Sequence, residues 1–231
     1  MLGGKKLIEI TLIGLISGVI GTGLGGIIST VFRKNVNRYL SFCMGISGGI
    51  MLSVVVFDLL KESMAEAGVL NTIIFVFVGA IATMSIKNKL EIHSKFNAGY
   101  LIFLSILLHN LPEGLAIGSS FVATQNLGIT LAIVIGIHNI PEGLAMALSL
   151  VGSKMSTFKV IMLTVLAGIP IGVGSFLGAY FADMCNSMIG VFLAIAAGTM
   201  MYVVLEEILP STKSMFTIIG FLVGILIVSY I

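Results

Sequence analysis

His109-Asn110-Leu111-Pro112-Glu113-Gly114 and His138-Asn139-Ile140-Pro141-Glu142-Gly143 are two copies of one phrase, and both continue Leu-Ala. They start 29 residues apart, inside the stretch Leu107 to Ala147. Each sits mid-way along an apolar segment, where polar side chains are least expected. A helix puts residues i and i+4 on one face, so His109 stacks with Glu113 and His138 with Glu142. Asn110 and Asn139 are rotated by about 100° and border the same cavity. Pro112 and Pro141 each remove a backbone donor and crowd the carbonyls of Leu108 and Ile137, so a kink is expected in both helices. Irregular backbone at membrane depth is tolerated only against protein or a water-filled cavity. The short connection from Val122 to Asn126 makes the two helices antiparallel and adjacent, with both phrases near the midplane.

Outward from this pair, the chain stays apolar. Hydrophobic residues make up 58% and charged residues 10%, against about 25% charged in a soluble domain. Repeated apolar runs of about 20 residues indicate an all-α polytopic membrane protein. The strand-length alternation of a membrane barrel is missing. Eight transmembrane helices are expected, over 7–32, 39–60, 69–86, 98–121, 126–150, 158–182, 187–208 and 214–231, in one domain covering 1–231. Short loops predict that sequential helices are antiparallel neighbours. The basic residues are scattered through those loops, so a net charge of +2 points to no nucleic-acid partner.

Some signals resolve to structure alone. Gly21-x-Gly23-x-x-Gly26 spells a dinucleotide fingerprint, but it follows no strand. With Gly14-xxx-Gly18 it reads as close helix packing. Lys5-Lys6 precedes an apolar run too long for a signal peptide, so a retained helix is expected. Cys43 and Cys185 have no CxxC spacing and are expected as buried thiols. The thirteen methionines are read as packing residues.

Loops after spans 1, 3, 5 and 7 carry Arg33, Lys34, Arg38, Lys87, Lys89, Lys95, Lys154, Lys159 and Lys213, against Lys5, Lys6 and Lys61 on the other side. The positive-inside rule then places both termini outside the cytoplasm. No Lys or Arg lies deep in a span. Glu113 and Glu142 therefore require an ion, a proton or water to stabilise them. Two neutral imidazoles and two carboxylates carry two negative charges, which balance a divalent cation. Mixed nitrogen and oxygen ligands suit zinc, iron, cobalt, manganese or cadmium; calcium and magnesium favour oxygen alone, and copper(I) favours sulfur. The phrase is not HExxH, which argues against an intramembrane metalloprotease. A membrane-embedded metalloenzyme and a passive divalent cation channel stand as alternatives to a carrier.

Two HNxPEG phrases on successive spans within eight resemble the ZIP (Zrt-, Irt-like protein) family of divalent metal transporters, in its bacterial-type branch. Ala194 to Pro210 resembles the seventh helix of the family, and Phe57-Asp58-Leu59-Leu60 the end of the second. The resemblance implies import of zinc, or of iron, manganese, cobalt or cadmium, across the plasma membrane into the cytoplasm. It implies His109, Glu113, His138 and Glu142 as primary ligands, with Asn110 and Asn139 flanking a second metal position. It puts Asp58 at the outer entrance and Glu206 and Glu207 at the inner exit. The metal is substrate rather than resident cofactor, and the partners are the ion, the lipid bilayer and a second copy in a homodimer. The implied architecture is a central kinked pair, helices 4 and 5, flanked by two three-helix units related by inverted repeat. Many two-metal members carry a glutamate before the proline of helix six; here Ile169 precedes Pro170, so one principal site is expected. The loop after span 3 holds only His93, read as an ordinary exposed residue.

Overall fold

The computed structural model describes residues 3–32, 36–93, 98–152 and 155–230, with side chains excepted at 32, 36–39, 90–93, 98–102, 152 and 230. Among the described residues the chain is helical throughout: α1 (Gly4–Phe32), α2 (Val36–Val54), α3 (Leu60–Ala67), α4 (Val69–His93), α5 (Ala98–Ala123), α6 (Gln125–Gly152), α7 (Thr157–Met184), α8 (Ser187–Val203) and α9 (Ser214–Tyr230). Two π-helical segments interrupt otherwise continuous rods, Val55–Leu59 between α2 and α3, and Val204–Ile208 after α8. Each carries a carboxylate in its fourth place, Asp58 and Glu207. A wide π turn costs backbone geometry and is found most often where function needs it.

Among the described residues six helical rods are long and apolar enough to cross a membrane, two of them running through the π segments, Leu40–Ala67 and Ser187–Ser211. Their surfaces agree. α1 exposes Ile8, Leu12, Ile16, Ile20 and Leu24, and α4 exposes Leu70, Ile73, Ile74, Phe77 and Ile81. A four-residue spacing makes a continuous stripe on one helix face, and apolar stripes this large are stable only against lipid or protein. The chain is a multi-pass membrane protein.

Turns are minimal. Gly68 alone joins α3 to α4, with φ of 79°, a backbone that glycine adopts without strain. Ser156 caps α7 by accepting from the Lys159 N–H. Several expectations change. The helix expected to end at 60 continues through Val55–Leu59 and α3 to Ala67. The helix expected to end at 86 runs on to His93, so Lys87 stands on a helix wall rather than in a loop, and His93 closes the helix; its side chain lies outside the described residues. Arg33, Lys34, Lys95 and Lys154 also lie outside them. Cys43 is buried as expected, whereas Cys185 is exposed in the turn between α7 and α8, and both are free.

Sequential helices are mostly not neighbours. α1 packs on α6 and α7, α5 on α7, α2 on α9, and α4 on α8; α5 and α6 are the long consecutive pair that does pack closely. Short loops make helices antiparallel but do not choose partners; small residues do. Gly18 of α1 meets the Gly168 backbone of α7, and Gly114 of α5 meets Gly174 of α7. Gly143 of α6 meets the Thr22 backbone of α1. On the other side, Gly49 of α2 meets α9 at Thr217, and Gly198 of α8 meets α4 at Val76. Such seams fall within two groups, α1 with α5, α6 and α7, and α2 with α3, α4, α8 and α9. Gly21 and Gly26 of the false fingerprint sit in the first group's seams, on Gly136 and Thr164.

Candidate metal centre

The two phrases meet as expected, in the interior of the α5–α6 pair. His109, Asn110, Glu113, His138, Asn139 and Glu142 are all buried, none more than 3% exposed. Their pairing is crossed. His109 Nε2 lies 3.1 Å from Glu142 Oε2, and His138 Nε2 lies 3.1 Å from Glu113 Oε1. Within the first copy, His109 Nε2 is 4.0 Å from Glu113 Oε1, so the stacked partner predicted by helical spacing is the more distant one. Each imidazole Nε2 is thus held against a carboxylate of the other copy.

His109, Glu113 and Glu142 present ligand atoms within 4.8 Å of one another. His138 joins them through Glu113. The asparagines part company. Asn139 Nδ2 donates to Glu113 Oε2 at 3.4 Å, while Asn110 Nδ2 donates to the Ala167 carbonyl of α7 at 2.7 Å. His109 Nδ1, His138 Nδ1, Asn110 Oδ1 and Asn139 Oδ1 are buried with no hydrogen-bond partner in the protein. Buried polar atoms are ordinarily satisfied. This centre combines two carboxylates with several buried, unpartnered nitrogen and oxygen atoms, and no lysine or arginine pairs with either carboxylate among the described residues. That donor set fits a divalent cation with nitrogen and oxygen preferences.

Sequence reasoning missed one member. Ser47 of α2 donates to Glu142 Oε1 at 3.4 Å and to the His138 carbonyl at 3.2 Å. A serine in an apolar helix most often bonds its own backbone, as Ser53 does to the Ile50 carbonyl, so nothing in the sequence separates Ser47 from such residues.

A cavity of about 580 Å³ runs from His109 and Glu142 past Ser149 and Thr199 to Glu206 and Glu207. It opens at the end of the molecule where α4 finishes and α5 begins. Glu206 is exposed there, and Glu207 is half-buried. Asp58 does not line this cavity; it is half-buried on its π segment, with Oδ2 buried and unpartnered. Ile169 is 40% exposed on α7, so the position where many relatives of the predicted type place a glutamate faces away from the interior.

Comparison with known proteins gives the family. The family model described as ZIP zinc transporter matches residues 82–231. The zinc transporter ZupT of Chlorobaculum parvum is 31% identical over 231 residues, spanning 86% of this chain and 85% of that protein. The ZupT of Akkermansia muciniphila is 26% identical over 100% of this chain and 98% of its own length. The zinc transporter GufA of Myxococcus xanthus is 40% identical over 120 residues, 52% of this chain and 47% of that protein. These relatives are transporters and not enzymes, which sets the metalloenzyme alternative aside. The doubled phrase, its buried site and the matched length converge on one statement: the chain belongs to the ZIP zinc transporter family, as a bacterial-type divalent metal transporter of the membrane.

Proposed function

We propose that this protein imports zinc into the cytoplasm, with iron, manganese, cobalt and cadmium as lesser substrates. The observation that carries the reading is the crossed pairing of His109 with Glu142 and His138 with Glu113. One dication takes the place between two neutral imidazoles and two carboxylates, and its two charges balance those of the carboxylates, which no lysine or arginine among the described residues neutralises. Zinc suits that mixed set and exchanges its ligands without redox change. His109, Glu113, His138 and Glu142 are the ligands, at one principal site; Asn110 and Asn139 border it. Asp58 lies at the entrance and Glu206 and Glu207 at the exit.

The whole chain, 1–231, is one transmembrane domain of eight crossings in the plasma membrane, with both termini outside. The central helices bend at Pro112 and Pro141. Support for the orientation comes from the excess of lysine and arginine in the loops on the side where the cavity opens. The homodimer is carried by family resemblance alone.

The test is uptake by purified protein in sealed vesicles, across zinc, iron, manganese, cadmium and magnesium. Zinc uptake that saturates and shows counter-flow is expected for a carrier. Magnesium preferred over zinc, or uptake with no saturation, would overturn the reading and favour a channel.

A further inference from the structure

The cavity contains one group that a cation pathway should avoid. Among the described residues lining it, Lys87 alone carries a positive charge, and it stands at the mouth. Its Nζ lies 3.4 Å from Glu207 Oε1 and 5.9 Å from the centre of the Tyr202 ring. Ser105 of α5 donates to the same carboxylate, at 3.0 Å from Oε2 and 3.2 Å from Oε1. Glu207 is therefore engaged from two sides, by α4 and by α5, while its neighbour Glu206 is exposed. Both charges of the pair are about three-quarters covered, at 26% and 23% side-chain exposure. A surface ion pair of this kind adds little stability, so its position on the pathway asks for another explanation.

A carboxylate at an exit has two requirements. It must lower the barrier for a leaving dication, yet bind weakly enough to let it go. A bare glutamate pair at the mouth would retain the ion. An ammonium on a flexible four-carbon stem solves this, because it competes for the same oxygen and swings away without leaving the protein. Ser105 is one helical turn before His109, so the hydroxyl that holds Glu207 and the imidazole of the metal centre share one face of α5.

We propose that Lys87 is a tethered counter-ion of the exit: it occupies Glu207 when no metal is passing, is displaced as the dication arrives, and returns to eject it. Lys87 and Ser105 are then release-setting residues and not metal ligands. The idea rests on the transport reading above.

The experiment measures zinc uptake into sealed proteoliposomes and zinc-binding stoichiometry by calorimetry. It uses the full-length protein, Lys87→Met, Glu207→Gln, and the double variant. Glu207→Gln leaves the ammonium unpaired in the exit, and uptake falls by roughly tenfold because a lone like charge opposes the leaving ion. Removing Lys87 as well recovers uptake to within about threefold of the wild type, the signature of coupling between neighbours. Lys87→Met alone retains an additional zinc at Glu207, with lower KM and lower kcat. Uptake by the double variant as poor as by Glu207→Gln, or unchanged kinetics and stoichiometry in Lys87→Met, overturns the proposal and leaves the transport reading intact. A wild-type protein that moves no divalent cation would overturn that reading as well, which separates the two failures.

Discussion

Crossed pairing makes the four principal side chains interdependent. Glu142 lies against His109 Nε2 and accepts from Ser47, so Glu142→Ala removes a proposed ligand and leaves the imidazole without its carboxylate, while Ser47 keeps the His138 carbonyl as acceptor. Zinc uptake is expected to vanish while the protein still elutes and melts as a folded species; wild-type uptake by this variant would refute the ligand role. Ser47→Ala is a smaller change. It deletes one hydrogen bond worth about 1 kcal/mol, so zinc affinity measured by calorimetry should weaken by no more than about tenfold. Proton competition sets the pH dependence. The imidazoles bind metal only when neutral and the carboxylates only when ionised, so acid removes binding capacity from both. Initial uptake rates at constant free zinc should therefore fall as pH drops from about 8 to about 5, where histidine ordinarily gains its proton. A rate that rises toward acid would contradict this. The buried cluster was legible because His, Asn and Glu are conspicuous in apolar surroundings. Their crossing was not, since helical spacing names the partner within a copy and is silent about the adjacent helix.

At the scale of the helix, starts were easier to read than ends or neighbours: two spans expected to stop at 60 and 86 run on to Ala67 and His93. Gly68 and Pro210 mark turns by their own backbone chemistry, and the observed boundaries fall near them. Partner choice depends on which small residues face which backbone, and a glycine-rich sequence offers many combinations. Gly4 and Gly18 illustrate the difference. A Cβ at Gly4 meets nothing within 4 Å, whereas one at Gly18 runs into the Gly168 carbonyl and Ile171. Gly4→Ala should leave thermal unfolding in detergent unchanged. Gly18→Ala should destabilise by about 1–3 kcal/mol, the usual cost of overpacking, because the obstacle is backbone and cannot rotate away. Equal melting temperatures for the two variants would show that the α1–α7 seam is looser than these positions require. The π segments were also invisible beforehand; VVFDL and VLEEI carry no residue that forbids an ordinary helix.

For the whole molecule, the glycine seams leave the metal centre in one group of helices and most of the opposite cavity wall in the other. His109, Glu142 and Ser149 come from α5 and α6, and Thr199, Glu206 and Glu207 from α8 and the segment after it. The pathway thus lies along the boundary between groups, where fewer backbones are locked together. The orientation of the chain is then read from which face of the membrane this cavity meets. Ser149 decides it. Its side chain lines the cavity on α6, and it is partly accessible. A cysteine placed there, with Cys43 and Cys185 replaced by serine, reports access to a membrane-impermeant thiol reagent. If the lysine-rich loops are cytoplasmic, the reagent labels Ser149→Cys in inside-out vesicles and spares it in right-side-out ones, and zinc bound at Glu142, nearly two turns earlier on the same helix, slows the reaction. Labelling from the outer side alone would invert the molecule in the membrane and exchange the proposed roles of Asp58 and Glu207.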